Sequence, residues 1–244
     1  MQLYEKSKSL RKETVKLMMK HHGSHFGGSM SCIELLVALY NMVLNPEDKF
    51  ILSKGHACFP LYVLLRERGY NPEIRAHPDI DEENGIYATT GSLGHGIPLG
   101  IGMAFARKKL KNPGKIYVLA GDGEAQEGTT WESILRAPLW KLDNLIVCFD
   151  WNGIQGSGRI DEIMPVKKPL ETLAKTAGWS VSEIDGHDYG QIIPALRRID
   201  YGQPRMIIAN TVKGKGISFM EDNPLWHSRI PNKEELKKAY EELK

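Results

Sequence analysis

Two oxygen-bearing side chains set the chemistry this sequence can do. Asp122 stands between Gly121 and Gly123, directly after the apolar run Lys115–Ala120. That run is rich in β-formers and reads as a strand buried on both faces, the kind found in parallel sheets. The flanking glycines let the backbone turn sharply as it leaves the strand. Asn152 stands just past a second such run, Asn144–Asp150, and 28 residues separate it from Gly123. That length fits one strand–helix–strand crossover, so both polar groups emerge at the carboxyl ends of consecutive parallel strands, where open α/β sheets bind ligands. A carboxylate, an amide oxygen and a nearby backbone carbonyl are hard donors suited to Mg²⁺ or Ca²⁺, and Mg²⁺ commonly completes its shell with phosphate oxygens. Read from the residues, this is a divalent-cation and diphosphate site. The plainer alternative is a tight Asp-Gly turn beside a solvated asparagine.

The elements that must position these groups follow in order. Residues 3–20 read as a helix, and His21–Gly28 as a glycine-rich loop carrying three histidines. With no acidic or sulfur ligand beside them, those histidines make a poor metal site. Ser31 with Glu34 reads as a capping box opening a helix to about Val43. Asp48–Leu52 is a candidate short strand by its resemblance to a known family, and a helix follows from about residue 57, with Pro60 in its first turn. Residues 70–88 read as irregular. Gly91, Gly94 and Gly96 lead into a helix, but their spacing is no dinucleotide fingerprint. Thr129 with Glu132 reads as a second capping box. A helix from Pro169 to Ala177, a strand over Trp179–Asp185, a helix from Tyr189 to Asp200, a strand over Arg205–Val212 and a charged helix from Lys233 complete the chain. Lys213-Gly-Lys-Gly is not a P-loop, but its amides and a lysine could meet phosphate. Five strands alternating with helices predict an α/β, doubly wound, mainly parallel sheet, in one domain over residues 1–244.

The 244 residues are 41% apolar and 25% charged, ordinary for a globular protein with a sizeable core. The formal charge of +2 comes without any lysine/arginine block, which argues against nucleic acid or an anionic membrane as partner. No apolar run is long enough to span a bilayer, and the charged N-terminus has no signal-peptide core. Cys32, Cys58 and Cys148 are widely spaced and read as buried, reduced thiols of a cytoplasmic protein.

Gly121-Asp122-Gly123, a crossover of this length and then Asn152 resemble the signature of thiamine diphosphate enzymes. Gly121–Gly128 with Asp143–Val147 resemble transketolases in particular. So do Ser53-Lys54-Gly55-His56, Thr89–Gly94, the Glu183–Asp188 tract, Lys213–Gly216 and Trp226-His227, in the family's order over about residues 10–230. The resemblance implies transfer of a two-carbon ketol unit from a ketose (phosphate) to an aldose (phosphate), as in pentose phosphate metabolism, with thiamine diphosphate and Mg²⁺ (or Ca²⁺) as cofactors. It implies that Asp122, Asn152 and the Ile154 carbonyl hold the metal. It assigns Gly121, Asp122, Gly123, Glu124, Asn152, Ile154, Lys213, His56 and His227 to the cofactor, together with Gly91, Ser92 and Leu93 beside its rings. His25, His56, His77 and His227 would bind substrate hydroxyls or relay protons. In this sequence Ala76 precedes His77 where the family has glycine. His95 stands where many transketolases have glutamine, and Gly156-Ser157-Gly158 departs from the family pattern. Glu127 resembles a glutamate at the subunit interface that places the partner's own glutamate.

The resemblance is confined to the family's N-terminal, diphosphate-binding domain. The glutamate that bonds the aminopyrimidine and most of the grip on sugar phosphate belong to a second domain that these residues do not contain. The chain closes on an ordinary helix. It therefore reads as the N-terminal subunit of a split transketolase, completed by a separate C-terminal subunit in an α2β2 heterotetramer. Two other readings compete: a non-catalytic, cofactor-binding scaffold, and a subunit of another thiamine diphosphate enzyme such as a 2-oxo acid dehydrogenase. Keeping Ser53–His56 and Thr90–Gly94 together favours transketolase.

Overall fold

The computed structural model describes residues 2–244. In chain order the elements are α1 (Gln2–Lys20), α2 (Phe26–Ser31), α3 (Ile33–Ala38) with a π turn at Leu39–Val43, β1 (Lys49–Leu52), α4 (Phe59–Glu67), α5 (Gly96–Leu110), β2 (Ile116–Gly121), α6 (Gly128–Leu139), β3 (Leu145–Trp151), β4 (Ile154–Gln155), β5 (Gly158–Arg159), α7 (Ile160–Ile163), α8 (Lys167–Ala177), β6 (Ser180–Asp185), α9 (Tyr189–Arg197), β7 (Arg205–Asn210) and α10 (Lys233–Glu242). The main sheet is wholly parallel, in the order β1-β2-β3-β7-β6. It is the doubly wound fold that the alternation of strands and helices predicts. β4 and β5 add a small antiparallel hairpin.

Side chains alternate across each strand, so the sheet feeds two cores. Val118, Ala120, Val147, Phe149 and Ile208 face the core closed by α5, α6 and α8. Tyr117, Leu119, Ile146, Cys148 and Ile207 face the core closed by α1, α3, α4 and α9. The central strands are buried on both faces, which is why they read as continuous apolar runs. Past β3 the chain joins the first core through Ile160 and Val166. Past β7 it joins the second through Ile217, Met220 and Trp226. The two connections diverge from neighbouring strands, and a crevice opens between them at the carboxyl edge of the sheet.

Several local expectations give way to packing. Gly27 and Gly28 lie in the buried helix α2, not in a loop. A Cβ on Gly27 would stand 2.8 Å from both the Lys213 side chain and the Trp226 carbonyl, so that glycine serves close approach rather than flexibility. Ser31 is the last residue of α2, not a cap. Its hydroxyl donates to Gly28 O and to Asp150 Oδ2, while Glu34 pairs with Arg11 and His187. Thr129 sits inside α6, which Glu127 precedes, and its hydroxyl donates to Gly94 O. In each case the bond goes to a tertiary partner, buried for Ser31 with Asp150 and Glu34 with Arg11 and part-buried for Thr129, instead of to a local cap. α4 starts at Phe59, two residues late, because Gly55–Ala57 forms a 3₁₀ turn first.

Candidate functional site

A cavity of about 390 Å³ opens at the carboxyl edge of the sheet. Its floor is the turn after β2 and the segment after β3. Gly121 and Asp150 are register partners, so the residues that follow leave neighbouring strands at one level. Asp122 is buried and accepts from Gly123 N at 2.8 Å and from Gly153 N at 2.6 Å. Asn152 Oδ1 accepts from Ile154 N at 3.2 Å, and the Ile154 carbonyl accepts from Lys213 Nζ at 2.8 Å. A carboxylate, an amide oxygen and a carbonyl thus border one small volume. Burial, with the nearby Asp150 charge, pushes the Asp122 carboxyl up to about 6. Burial, with the Lys54 charge, brings Lys213 down to about 8. The Lys213 ammonium already sits on the Ile154 carbonyl, so the spot accommodates a cation against hard oxygens. The donor set fits a divalent metal. Among the described residues no group of three or more His, Cys, Asp and Glu offers a metal site, so His21, His22 and His25 form none.

Four histidines wall the cavity above this floor. His25 stands 5.2 Å from His56, 6.3 Å from His77 and 5.5 Å from His227 between ring centroids, and His56 stands 6.0 Å from His227. They come from the residue preceding α2, the 3₁₀ turn after β1, the loop before α5, and the segment before α10. His25 and His227 are drawn together by a β-bridge between His25 and Arg229, with Arg229 N donating to Ser24 O at 2.9 Å. His77 lies against Gly91, whose φ of +133° and lack of a Cβ leave room for the ring. Burial lowers the pKa of His25, His56 and His227, the last to about 4, helped at each by neighbouring positive or imidazole groups. These rings are neutral at pH 7 and can each donate and accept a hydrogen bond.

Residues 5–243 match the transketolase, thiamine diphosphate binding domain. The chain belongs to the transketolase family. It is 39% identical to an apulose-4-phosphate transketolase subunit of Actinobacillus succinogenes, over all of this chain and 96% of that protein. It is 37% identical to the 6-deoxy-6-sulfo-D-fructose transketolase subunit SqwG of Clostridium sp., over 99% of this chain and 96% of that protein. Its fold superposes on the crystal structure of Campylobacter jejuni transketolase with a TM-score of 0.85 and 28% identity, over all of this chain and 43% of that one. The chain thus spans less than half the length of that solved transketolase.

The transketolase fold brings nearly all of the residues singled out in the sequence to one cavity. Gly91, Leu93, Gly121, Asp122, Gly123, Glu124, Glu127, Asn152, Ile154, Lys213 and the four histidines border it. Ser92 does not. It is exposed, and its hydroxyl lies 3.3 Å from His95 Nδ1. Glu124 has both oxygens engaged. It accepts from Gly121 N and Gly94 N at 2.8 Å and from the Ser53 hydroxyl, tying the turn after β2 to the loop before α5. These three bonds make it a brace of the site.

Lys54, Gln126 and Gln155 also border the cavity and were not singled out in the sequence. Lys54 forms a fully buried ion pair with Asp150, which also accepts from the Ser31 and Thr211 hydroxyls. The signal was present: an aspartate inside the apolar run Leu145–Trp151 must have a buried partner.

Proposed function

We propose that the chain is the N-terminal, thiamine diphosphate-binding subunit of a two-chain transketolase, as one diphosphate-binding domain over residues 1–244. The observation that carries this is the convergence of Asp122, Asn152 and the Ile154 carbonyl beneath four histidines in one cavity. Asp122, Asn152 and Ile154 would hold Mg²⁺ (or Ca²⁺), and Lys213 with the backbone at Gly121–Gly123 would meet the diphosphate. Gly91 and Leu93 would border the rings.

Bound thiamine diphosphate supplies the electron sink that makes a carbon–carbon bond beside a carbonyl cleavable. The protein's own part is to orient, exclude water and move protons. His25, His56, His77 and His227 would take a proton from a sugar hydroxyl and return it, or hold that hydroxyl in place. Among the described residues that border the cavity, no arginine or lysine is left over for a sugar phosphate, since Lys54 is paired with Asp150 and Lys213 would be taken by the diphosphate. That grip, and the group that bonds the aminopyrimidine, would come from a separate C-terminal subunit. Both relatives are themselves named as subunits of a transketolase, which supports the same division. Glu127, at the start of α6, would face that second chain, in a heterotetramer of two chains of each kind. The substrates would be ketose and aldose sugars or their phosphates, with apulose-4-phosphate and 6-deoxy-6-sulfo-D-fructose among the donors to try. No helix among the described residues is long and apolar enough to cross a membrane, and a cytoplasmic enzyme fits the reading.

Ketol transfer is assayed with the purified chain alone and after mixing with a complementary subunit, with Mg²⁺ and thiamine diphosphate present. Activity is expected only in the mixture, and Asp122→Ala is expected to abolish it. Full activity from this chain alone, or an unaffected Asp122→Ala mixture, would refute the proposal.

A further inference from the structure

Behind the segment that carries Lys213 lies a polar chain, buried at Arg11 and Glu34 and half-buried at His187, whose residues do not border the cavity. Glu34, on α3, is ion-paired to Arg11 at 2.7 Å. Its Oε2 lies 2.9 Å from His187 Nδ1. On the far side of the same ring, His187 Nε2 accepts from Val212 N at 2.9 Å. Val212 immediately precedes Lys213. Arg11 reaches the same segment, donating from Nε to Lys215 O at 2.7 Å. It also packs where a Cβ on Gly216 would stand, 2.7 Å from the Arg11 Cδ.

The chemistry fixes the ring. A carboxylate only accepts and a backbone N–H only donates, so the neutral imidazole carries its proton on Nδ1 and offers a lone pair at Nε2. Burial pushes the Glu34 carboxyl up, but the His187 bond and the Arg11 charge outweigh this and hold it at about 2. Glu34 is therefore ionised wherever the protein is folded near neutral pH.

We propose that His187 is a positioning residue for Lys213: its ring, set in one tautomer by Glu34, holds the Val212 amide and so fixes the lysine that faces the diphosphate. This rests on the cofactor reading above. His187 touches neither cofactor nor substrate. The Asp185-Gly-His-Asp188 tract, which the cavity leaves unused, thereby gains a role at the site.

Two substitutions separate the two ends of the ring. A glutamine amide reaches to where Nε2 stands, so His187→Gln keeps an acceptor for Val212 N but loses the donor to Glu34. An asparagine amide reaches only to Nδ1, so His187→Asn keeps the donor to Glu34 and loses the acceptor for Val212. Each forfeits one part-buried bond, so a merely structural role would give both the same phenotype. Binding of thiamine diphosphate with Mg²⁺ is measured by calorimetry, with the complementary subunit present. His187→Gln is expected to stay within about twofold of wild type, and His187→Asn to bind about tenfold more weakly. Equal affinity for the two variants would overturn the proposal. No binding by wild type would overturn the cofactor reading itself, and the proposal with it. Should either variant fail to fold, ¹⁵N NMR of the wild-type ring decides: a proton on Nδ1 is expected, and a proton on Nε2 overturns the assignment.

Discussion

Replacing Lys54 by methionine leaves the Asp150 carboxylate without a counter-charge in the floor of the cavity. The pair is sealed, with 1% of the lysine side chain and none of the aspartate exposed. Removing one member of a buried pair costs about 3–5 kcal/mol, because the remaining charge is left in a poorly polarisable interior. Asp150 would keep the hydroxyl bonds from Ser31 and Thr211, which places Lys54→Met near the lower end, about 3 kcal/mol. In a chain of this size that lowers Tm by about 6–12 °C. The second variant makes the test sharp. Lys54→Met with Asp150→Asn removes both charges, keeps an acceptor oxygen for one of the two hydroxyls and offers the other, which bonds the second carboxylate oxygen, an amide N–H to accept from instead. Because the attraction within a buried pair barely repays its desolvation, the double variant is expected within about 1 kcal/mol of wild type. Thermal and urea unfolding of wild type, both single variants and the double give the full cycle. A double variant that loses the sum of the two single losses, or a Lys54→Met protein as stable as wild type, would refute the reasoning.

Glu34 gives an acid-stability signature. Its folded pKa of about 2 lies below the ordinary 4.5, so its contribution is fully present above about pH 4.5 and is lost as the pH falls through 2. The difference is worth about 3 kcal/mol, and Glu34→Gln should flatten the fall in urea midpoint between pH 5 and pH 3. Gly91→Ala adds a Cβ at φ +133°, 2.8 Å from the His77 ring, and is expected to cost about 1–3 kcal/mol in thermal unfolding; an unchanged Tm would mean that the loop yields freely. Cys32, Cys58 and Cys148 are buried, and burial pushes the first two thiols up to about 12 and raises the third as well. A thiol reagent at pH 8 should therefore find none of them in the native chain and all three in urea; prompt labelling of the folded protein would contradict the packing.

The apolar runs at Lys115–Ala120, Asn144–Asp150 and Arg205–Val212, alternating with helical stretches, pointed by themselves to a parallel sheet covered on both faces, because crossover helices bury successive side chains of the strands alike. The 28-residue interval between Gly123 and Asn152 likewise fixed that Asp122 and Asn152 share one edge, since a single crossover returns the chain to the same end of the sheet. The order of motifs carried the family. Local signals could not decide where polar side chains spend their bonds. Ser31, Glu34 and Thr129 have the types and spacing of helix caps, yet each is taken by a partner from a distant part of the chain. Glu124 lies within the cation turn but is consumed by Gly94, Gly121 and Ser53. Lys54 and Asp150 lie 96 positions apart, and His187 reaches Val212 across 25. Period and turn chemistry act over a few residues, so a sequence displays them directly. A buried charge is settled by whichever complementary group the closed fold brings within about 3 Å, and only the packed structure determines that neighbour.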